Sequence, residues 1–206
     1  MHQSFSGGVY ALIKTLVSFL LLFVLLIPAC NDTKNAVDTE VAVIETDYGR
    51  IVFEFYPQDA PKHVANFKKL AREGFYDGTA FHRVDPQLGI IQGGDPNSKT
   101  DDVNTWGMGQ PGQPTVPAEF NDRKHVRGTV AAARKGNDIN SADSQFYICN
   151  KSQPAFDNQY TIFGNVIEGM NVVDIICNAP VVPNTTRPVE KVVMKKVYII
   201  NRDQLK

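Results

Sequence analysis

Between Val41 and Asn201 the sequence breaks into about eight short runs of strand character, separated by turn residues and interrupted by only two helical patterns. The strand candidates are Val41 to Thr46, Arg50 to Tyr56, Thr79 to Val84, Gly89 to Gln92, Gly128 to Ala133, Ser144 to Asn150, Tyr160 to Val166 and Val189 to Asn201. In the second run Ile51, Phe53 and Phe55 alternate with Val52, Glu54 and Tyr56, the period of two expected of a strand. Asp47-Tyr48-Gly49 supplies a hairpin turn ahead of it. A helix is predicted with Asp59 as cap, Pro61 in the first turn, Val64, Phe67, Leu70 and Ala71 as buried stripe and Gly74 as stop. A second, shorter helix fits Met170 to Ile176. Many strands with so few helices argue against alternating βαβ units and for a mainly β fold, a closed antiparallel barrel. The stretch from Pro96 to Pro117, rich in Gly, Pro, Asn and Thr, reads as a long surface excursion.

Ahead of this pattern, Thr15 to Ile27 is an unbroken apolar run preceded by Lys14, with no acidic residue before Asp32. That suits the apolar region of an export signal and is short for a membrane span. The run ends in Ile27-Pro28-Ala29-Cys30, which resembles the lipobox of bacterial lipoproteins, in which the cysteine is lipidated and becomes the new N-terminus. The expected organisation is an export signal over 1–29, lipidated Cys30 with a polar tether over 30–40, and one domain over 41–202. The expected location is the cell envelope, anchored to a bacterial membrane and facing the periplasm or the exterior. An ordinary cleaved signal, an uncleaved signal anchor and a buried first strand are the alternatives.

Formal charge is −1 for the whole chain, and the signal holds one lysine and no acid, so the remainder carries −2. Nothing in that balance attracts nucleic acid. Cys149 and Cys177 sit inside apolar runs, as core thiols do, although an exported location would permit a disulfide.

The residues that carry chemistry lie in Phe81-His82-Arg83-Val84, in Gln92-Gly93-Gly94-Asp95 and in Ser144-Gln145-Phe146-Tyr147-Ile148. A guanidinium and two side-chain amides on apolar, strand-like segments form a hydrogen-bonding wall beside aromatic rings. Arginine cannot serve as a general base, so Arg83 must bind or polarise a partner, or else pair with Asp85 or Asp95 as a structural cation. His63, His82 and His125 lack metal-ligand spacing, and no Gly-x-Ser-x-Gly turn surrounds Ser144, so neither a metal site nor a serine hydrolase is expected.

Those three motifs, with Phe163-Gly164-Asn165-Val166-Ile167-Glu168-Gly169-Met170, resemble the cyclophilin-type peptidyl-prolyl cis-trans isomerases, in the family's order and over nearly all of 41–201. Ala60-Pro61-Lys62-His63-Val64-Ala65-Asn66-Phe67 and Pro117-Ala118-Glu119-Phe120 look like family features too. The resemblance implies an eight-stranded closed barrel capped by two α-helices, its active site on the outer face. It implies rotation about X-Pro bonds in peptides and in unfolded or flexible proteins, with no metal, no other cofactor and a monomeric enzyme. Arg83 and Gln92 become the catalytic candidates. Ile90, Leu88, Gln145, Tyr147, Phe156 and Tyr160 become substrate-binding candidates, with Asn137 or Gly136 at a backbone contact on the loop from Arg134 to Ile139.

The chain also departs from the family pattern. Nine positions separate Arg83 from Gln92, one more than usual, so Asp85-Pro86-Gln87-Leu88-Gly89 holds an insertion and the usual pocket phenylalanine is absent. Leu88 is the expected substitute, although Gly89 occupies the aligned place. Ala155 stands where some members carry a tryptophan that contacts cyclosporin, so weak cyclosporin binding is expected. A proline-binding or chaperone-like module with little turnover is the competing reading.

Overall fold

The computed structural model describes residues 38–205. The apolar run, Cys30 and the tether up to residue 37 lie outside the described residues.

Nine strands form one antiparallel sheet: β1 (Glu40–Thr46), β2 (Gly49–Phe55), β3 (Ala80–Asp85), β4 (Ile90–Asp95), β5 (Thr129–Ala132), β6 (Phe146–Cys149), β7 (Ile162–Glu168), β8 (Val192–Val193) and β9 (Lys196–Asn201). Among the described residues two α-helices, α1 (Pro61–Arg72) and α2 (Met170–Cys177), accompany the sheet. The strand order is β8-β3-β4-β6-β5-β7-β2-β1-β9. Its two end strands are consecutive in the chain, so the sheet curls until β8 on β3 and β9 on β1 are halves of one interrupted stretch. Across the break, Met194 N–H donates to the Thr79 carbonyl at 2.8 Å and Lys195 N–H to that of Glu45 at 2.8 Å. The eight strands expected from the sequence become nine because this last strand changes partner at Met194 and Lys195.

Inside, Phe67 from α1 is the hub. Its ring lies 4.8 Å from Tyr76, 5.1 Å from Phe53 and 5.4 Å from Phe146, all three fully buried. The Phe53 and Phe146 pairs are edge-to-face and the Tyr76 pair is stacked, and aromatic pairs of either kind add about 0.5–1.5 kcal/mol each beyond the area they bury. From α2, Val172, Val173, Ile176 and Cys177 enter the same core.

The stripe predicted for α1 is observed, but its cap is not. Asp59 pairs with Arg123 at 2.7 Å, and Ala60 occupies the cap position without a side-chain hydrogen bond. The free N–H groups of Lys62 and His63 donate instead to the Glu119 carboxylate at 3.0–3.1 Å. A carboxylate brought from a distant loop thus satisfies the helix's open donors and its dipole. Gly74 ends the helix with φ +67°, as expected of a stop glycine. Cys149 and Cys177 are both buried and free.

The excursion after β4 is held from within. Buried Asp95 accepts from Asn97 N–H at 3.0 Å and also from Gly107 N–H, while Asn97 Nδ2 donates to the Gly109 carbonyl at 2.8 Å. Trp106 gives its indole N–H to the Thr100 carbonyl at 3.1 Å, so it anchors this loop.

Candidate functional site

Strand register brings the chemistry together. Arg83 on β3 lies opposite Gln92 on β4, and Gln92 lies opposite Tyr147 on β6. A regular strand would turn Phe81 and Arg83 to the same face. Here β3 carries an extra residue between Phe81 and Arg83, so Phe81 and Val84 both enter the core while Arg83 points outward. A bulge is what re-aims a side chain in this way. β4 answers with its own irregularity at Gly94, where φ is +86° and a Cβ would come within 2.6 Å of the Ser144 carbonyl.

On the outer face a polar chain forms. Arg83 Nη2 donates to Asp85 Oδ2 at 3.1 Å and Nη1 to Gln92 Oε1 at 3.5 Å. Gln92 Nε2 donates to Gln145 Oε1 at 3.2 Å, and Gln145 Nε2 to the Gly107 carbonyl at 3.2 Å. The pairing of Arg83 with Asp85 is therefore real, but it leaves guanidinium donors over, and 37% of the side chain stays open to solvent.

Beside this chain lies a hollow of about 160 Å³ lined by Arg83, Ile90, Gln92, Ala133, Arg134, Tyr147, Phe156 and Tyr160. Its aromatic wall is tightly joined: Tyr147 is edge-on to Phe156 at 5.8 Å and to Tyr160 at 5.7 Å. Behind the wall Tyr147 Oη meets His125 Nε2 at 3.0 Å, and His125 Nδ1 meets Asp157 Oδ1 at 3.1 Å. Burial lowers the His125 pKa against the opposing pull of Asp157, and burial lifts that of the Tyr147 phenol well above its ordinary value. Asp157 is held low, chiefly by the His125 backbone N–H. The imidazole is thus neutral, Nδ1–H donating to the carboxylate and Nε2 accepting from the phenol. That hydrogen bond occupies the Tyr147 hydroxyl, leaving the apolar body of the ring to line the hollow.

Of the residues selected from the sequence, Arg83, Gln92, Ile90, Tyr147, Phe156 and Tyr160 meet in this hollow. Gln145 lines an adjoining cavity of about 320 Å³ with Gln92, Gly107, Met108, Arg134 and Asp143, among others. Leu88 does not join them: it is exposed on the β3–β4 hairpin, where its carbonyl accepts from Gln153. Asn137 and Gly136 are exposed too, and neither lines these hollows. Arg134, at the start of the same loop, lines both, its guanidinium 4.7 Å above the Tyr160 ring and its Nε–H donating to the Gln159 carbonyl at 3.0 Å. Among the described residues no cluster of His, Cys, Asp or Glu is arranged to hold a metal.

The family model for cyclophilin-type peptidyl-prolyl cis-trans isomerases matches residues 41–199. A probable peptidyl-prolyl cis-trans isomerase from Brucella abortus is 44% identical over 159 residues, 75% of this chain and 80% of that protein. Peptidyl-prolyl cis-trans isomerase B of Bacillus subtilis is 40% identical over 137 residues, 66% of this chain and 88% of its own length. Among solved structures, a Cryptosporidium parvum cyclophilin-type isomerase, crystallised in the presence of the dipeptide Ala-Pro, matches with a TM-score of 0.70 and 29% identity. That match covers 78% of this chain and 99% of the other.

Proposed function

The chain belongs to the cyclophilin-type peptidyl-prolyl cis-trans isomerase family and is an enzyme of that class, and from this premise we propose that Arg83 drives rotation about X-Pro bonds bound in the aromatic hollow. Amide resonance sets a barrier of roughly 18–20 kcal/mol, and spontaneous exchange takes tens of seconds or more. As the bond twists, the prolyl nitrogen becomes pyramidal and regains a lone pair that the planar amide does not offer. A guanidinium N–H aimed at that nitrogen acts only on the twisted state, which is the condition for accelerating the step. Comparable donors in other enzymes contribute about 3–4 kcal/mol.

The observation that carries this reading is the placement of Arg83 Nη1 at 3.5 Å from Gln92 Oε1, on the rim of the hollow. Gln92 steadies the guanidinium, and Gln92 with Gln145 offers groups for the substrate backbone. Ile90, Tyr147, Phe156 and Tyr160 supply the apolar seat that a proline ring requires. The substrates are proline-containing peptides and unfolded or flexible proteins, in keeping with the Ala-Pro dipeptide used with the Cryptosporidium relative. No step needs a titrating group or a cofactor.

The exposed position of Leu88 favours one competing reading, in which a hollow lacking that wall binds proline without turning it over. Arg83→Ala separates the two. The enzyme reading expects most of the acceleration of a proline-limited refolding reaction to vanish while peptide affinity is largely kept. Absence of acceleration by the wild-type protein leaves only the binding module.

The location follows from Ile27-Pro28-Ala29-Cys30 after the apolar run: an exported domain tethered to a bacterial membrane through lipidated Cys30. Intact-mass analysis of membrane-fraction protein tests this, and a mature chain starting elsewhere than an acylated Cys30 refutes it.

A further inference from the structure

Arg83 and Gln92 also wall a second, wider hollow of about 450 Å³, whose other lining residues are His82, Val103, Trp106, Gly107, Met108, Thr185, Thr186 and Arg187. None of these eight belongs to the aromatic hollow, so the Arg83–Gln92 pair forms the partition between the two. Resting on the isomerase reading, we propose that this second hollow is a subsite for an acidic side chain of the substrate, placed a few residues from the proline and received by Arg187.

The lining carries two guanidiniums, two threonines and an indole, and no carboxylate. Arg83 has Asp85 as its ion-pair partner, whereas Arg187 makes no ion pair among the described residues. A half-buried arginine left without a counter-charge beside a concave surface is suited to an incoming carboxylate, which its planar fork can accept with two parallel hydrogen bonds. Glu190, three positions beyond Arg187, is exposed and makes no ion pair with it among the described residues. Asp101 is fully exposed and is engaged by Lys191 at 3.6 Å, and Lys191 itself lies 5.3 Å above the Trp106 ring, adding positive charge nearby.

The segment bearing Arg187 is fixed in place, which lowers the entropy a ligand must overcome. Val84 N–H, one residue beyond Arg83, donates to the Thr186 carbonyl at 2.7 Å. Val182 N–H donates to the Arg187 carbonyl at 2.9 Å, closing the turn, and Arg187 N–H donates to Thr185 Oγ1 at 3.2 Å. Arg187 is therefore pinned to the strand that carries Arg83, and a peptide seated in the aromatic hollow has only to continue past the partition to reach it.

The test uses the full-length protein and C-terminally amidated peptides with a central Ala-Pro, carrying Glu, Gln or Lys at each of the three positions on either side. Affinity is read by titration and turnover by an isomerase assay. At one position on one side, Glu is expected to exceed Gln by about three- to fivefold in affinity at low ionic strength, and the excess should shrink as salt is raised. Arg187→Ala removes the difference, and Arg187→Glu turns the preference toward Lys, while the neutral peptide is bound and turned over as before. Equal affinity for Glu and Gln at every position, or a Glu preference surviving in Arg187→Ala, overturns the subsite. A preference seen only with free-acid peptides assigns Arg187 to a chain terminus and overturns it as well. Absence of turnover by the wild-type protein, with a Glu preference that Arg187→Ala removes, sinks the isomerase reading and leaves the subsite standing.

Discussion

The phenol of Tyr147 is bound 3.0 Å from Nε2 of a fully buried His125, so the ring that lines the aromatic hollow is held from behind. Removing the hydroxyl leaves a buried imidazole nitrogen without its donor, and such an orphan costs about 1–3 kcal/mol. Tyr147→Phe is expected to lower unfolding free energy by that amount while retaining most of kcat/KM, because the ring's apolar body remains. His125→Ala should cost more, since it opens a cavity as well. Denaturant unfolding of both single variants and the double variant checks this, and additive losses would show that the two side chains are not coupled.

Stability should fall on the acid side in two stages. His63, His82 and His125 are buried and their pKa values are lowered by that burial. The unfolded chain therefore takes up protons first, so these groups give full stability above about pH 6.5 and lose it as pH drops toward their folded values. A second loss follows below about pH 4, where Asp157, Glu119 and Asp174, all lowered by hydrogen-bonded partners, are protonated. At the other extreme Cys149, pushed up to about 12 by burial, favours unfolding once pH passes the ordinary thiol range near 9. Thermal melts across pH 3 to 11 should trace a plateau from about 7 to 8.5; a flat profile through pH 5 would contradict the imidazole assignment.

Much of the fold was legible because it rests on local periodicity. The Asp47-Tyr48 hairpin, the Val64, Phe67 and Ala71 stripe, the Gly74 stop and the alternation of Ile51 to Tyr56 depend on residues a few positions apart. The features that escaped are made by distant residues. Glu119 caps α1 from 56 positions away, and Asp85 and the bulge at His82 aim an arginine whose direction simple alternation would invert. Arg134 enters the hollow by lying on Tyr160, a contact with no sequence period. Tyr147 was selected as a pocket residue, yet its tie to His125 and Asp157 has no local signature at all.

Asp95 should govern substrate affinity without touching the reacting bond. Its buried carboxylate receives the N–H groups of Asn97 and Gly107, and that loop presents the Gly107 carbonyl to Gln145 at 3.2 Å. Asp95→Asn puts an amide donor where an acceptor is needed, a loss of about 1–3 kcal/mol of stability. The Gly107 and Met108 edge of the cavity then loosens. KM is expected to rise several-fold with kcat nearly unchanged, since Arg83 and the aromatic hollow stay in place. Steady-state kinetics on a single peptide decides this; a fall in kcat at constant KM would place Asp95 in the chemical step.

Cyclosporin should bind weakly, and one substitution should show why. Ala155 is exposed on the short turn Pro154–Phe156, directly before the Phe156 ring that lines the hollow. The family resemblance places here, in some members, a tryptophan whose indole offers a broad apolar face and an N–H donor together. An alanine supplies neither, so a large cyclic ligand would lose both area and a hydrogen bond at the rim. Ala155→Trp is expected to tighten binding by about tenfold, equivalent to about 1.4 kcal/mol, without altering turnover of short peptides that end before the rim. Titration of the inhibitor against wild-type and variant protein measures the difference. Equal inhibition would mean that the outward position of Leu88, and the wall missing from the hollow there, is what limits the drug instead.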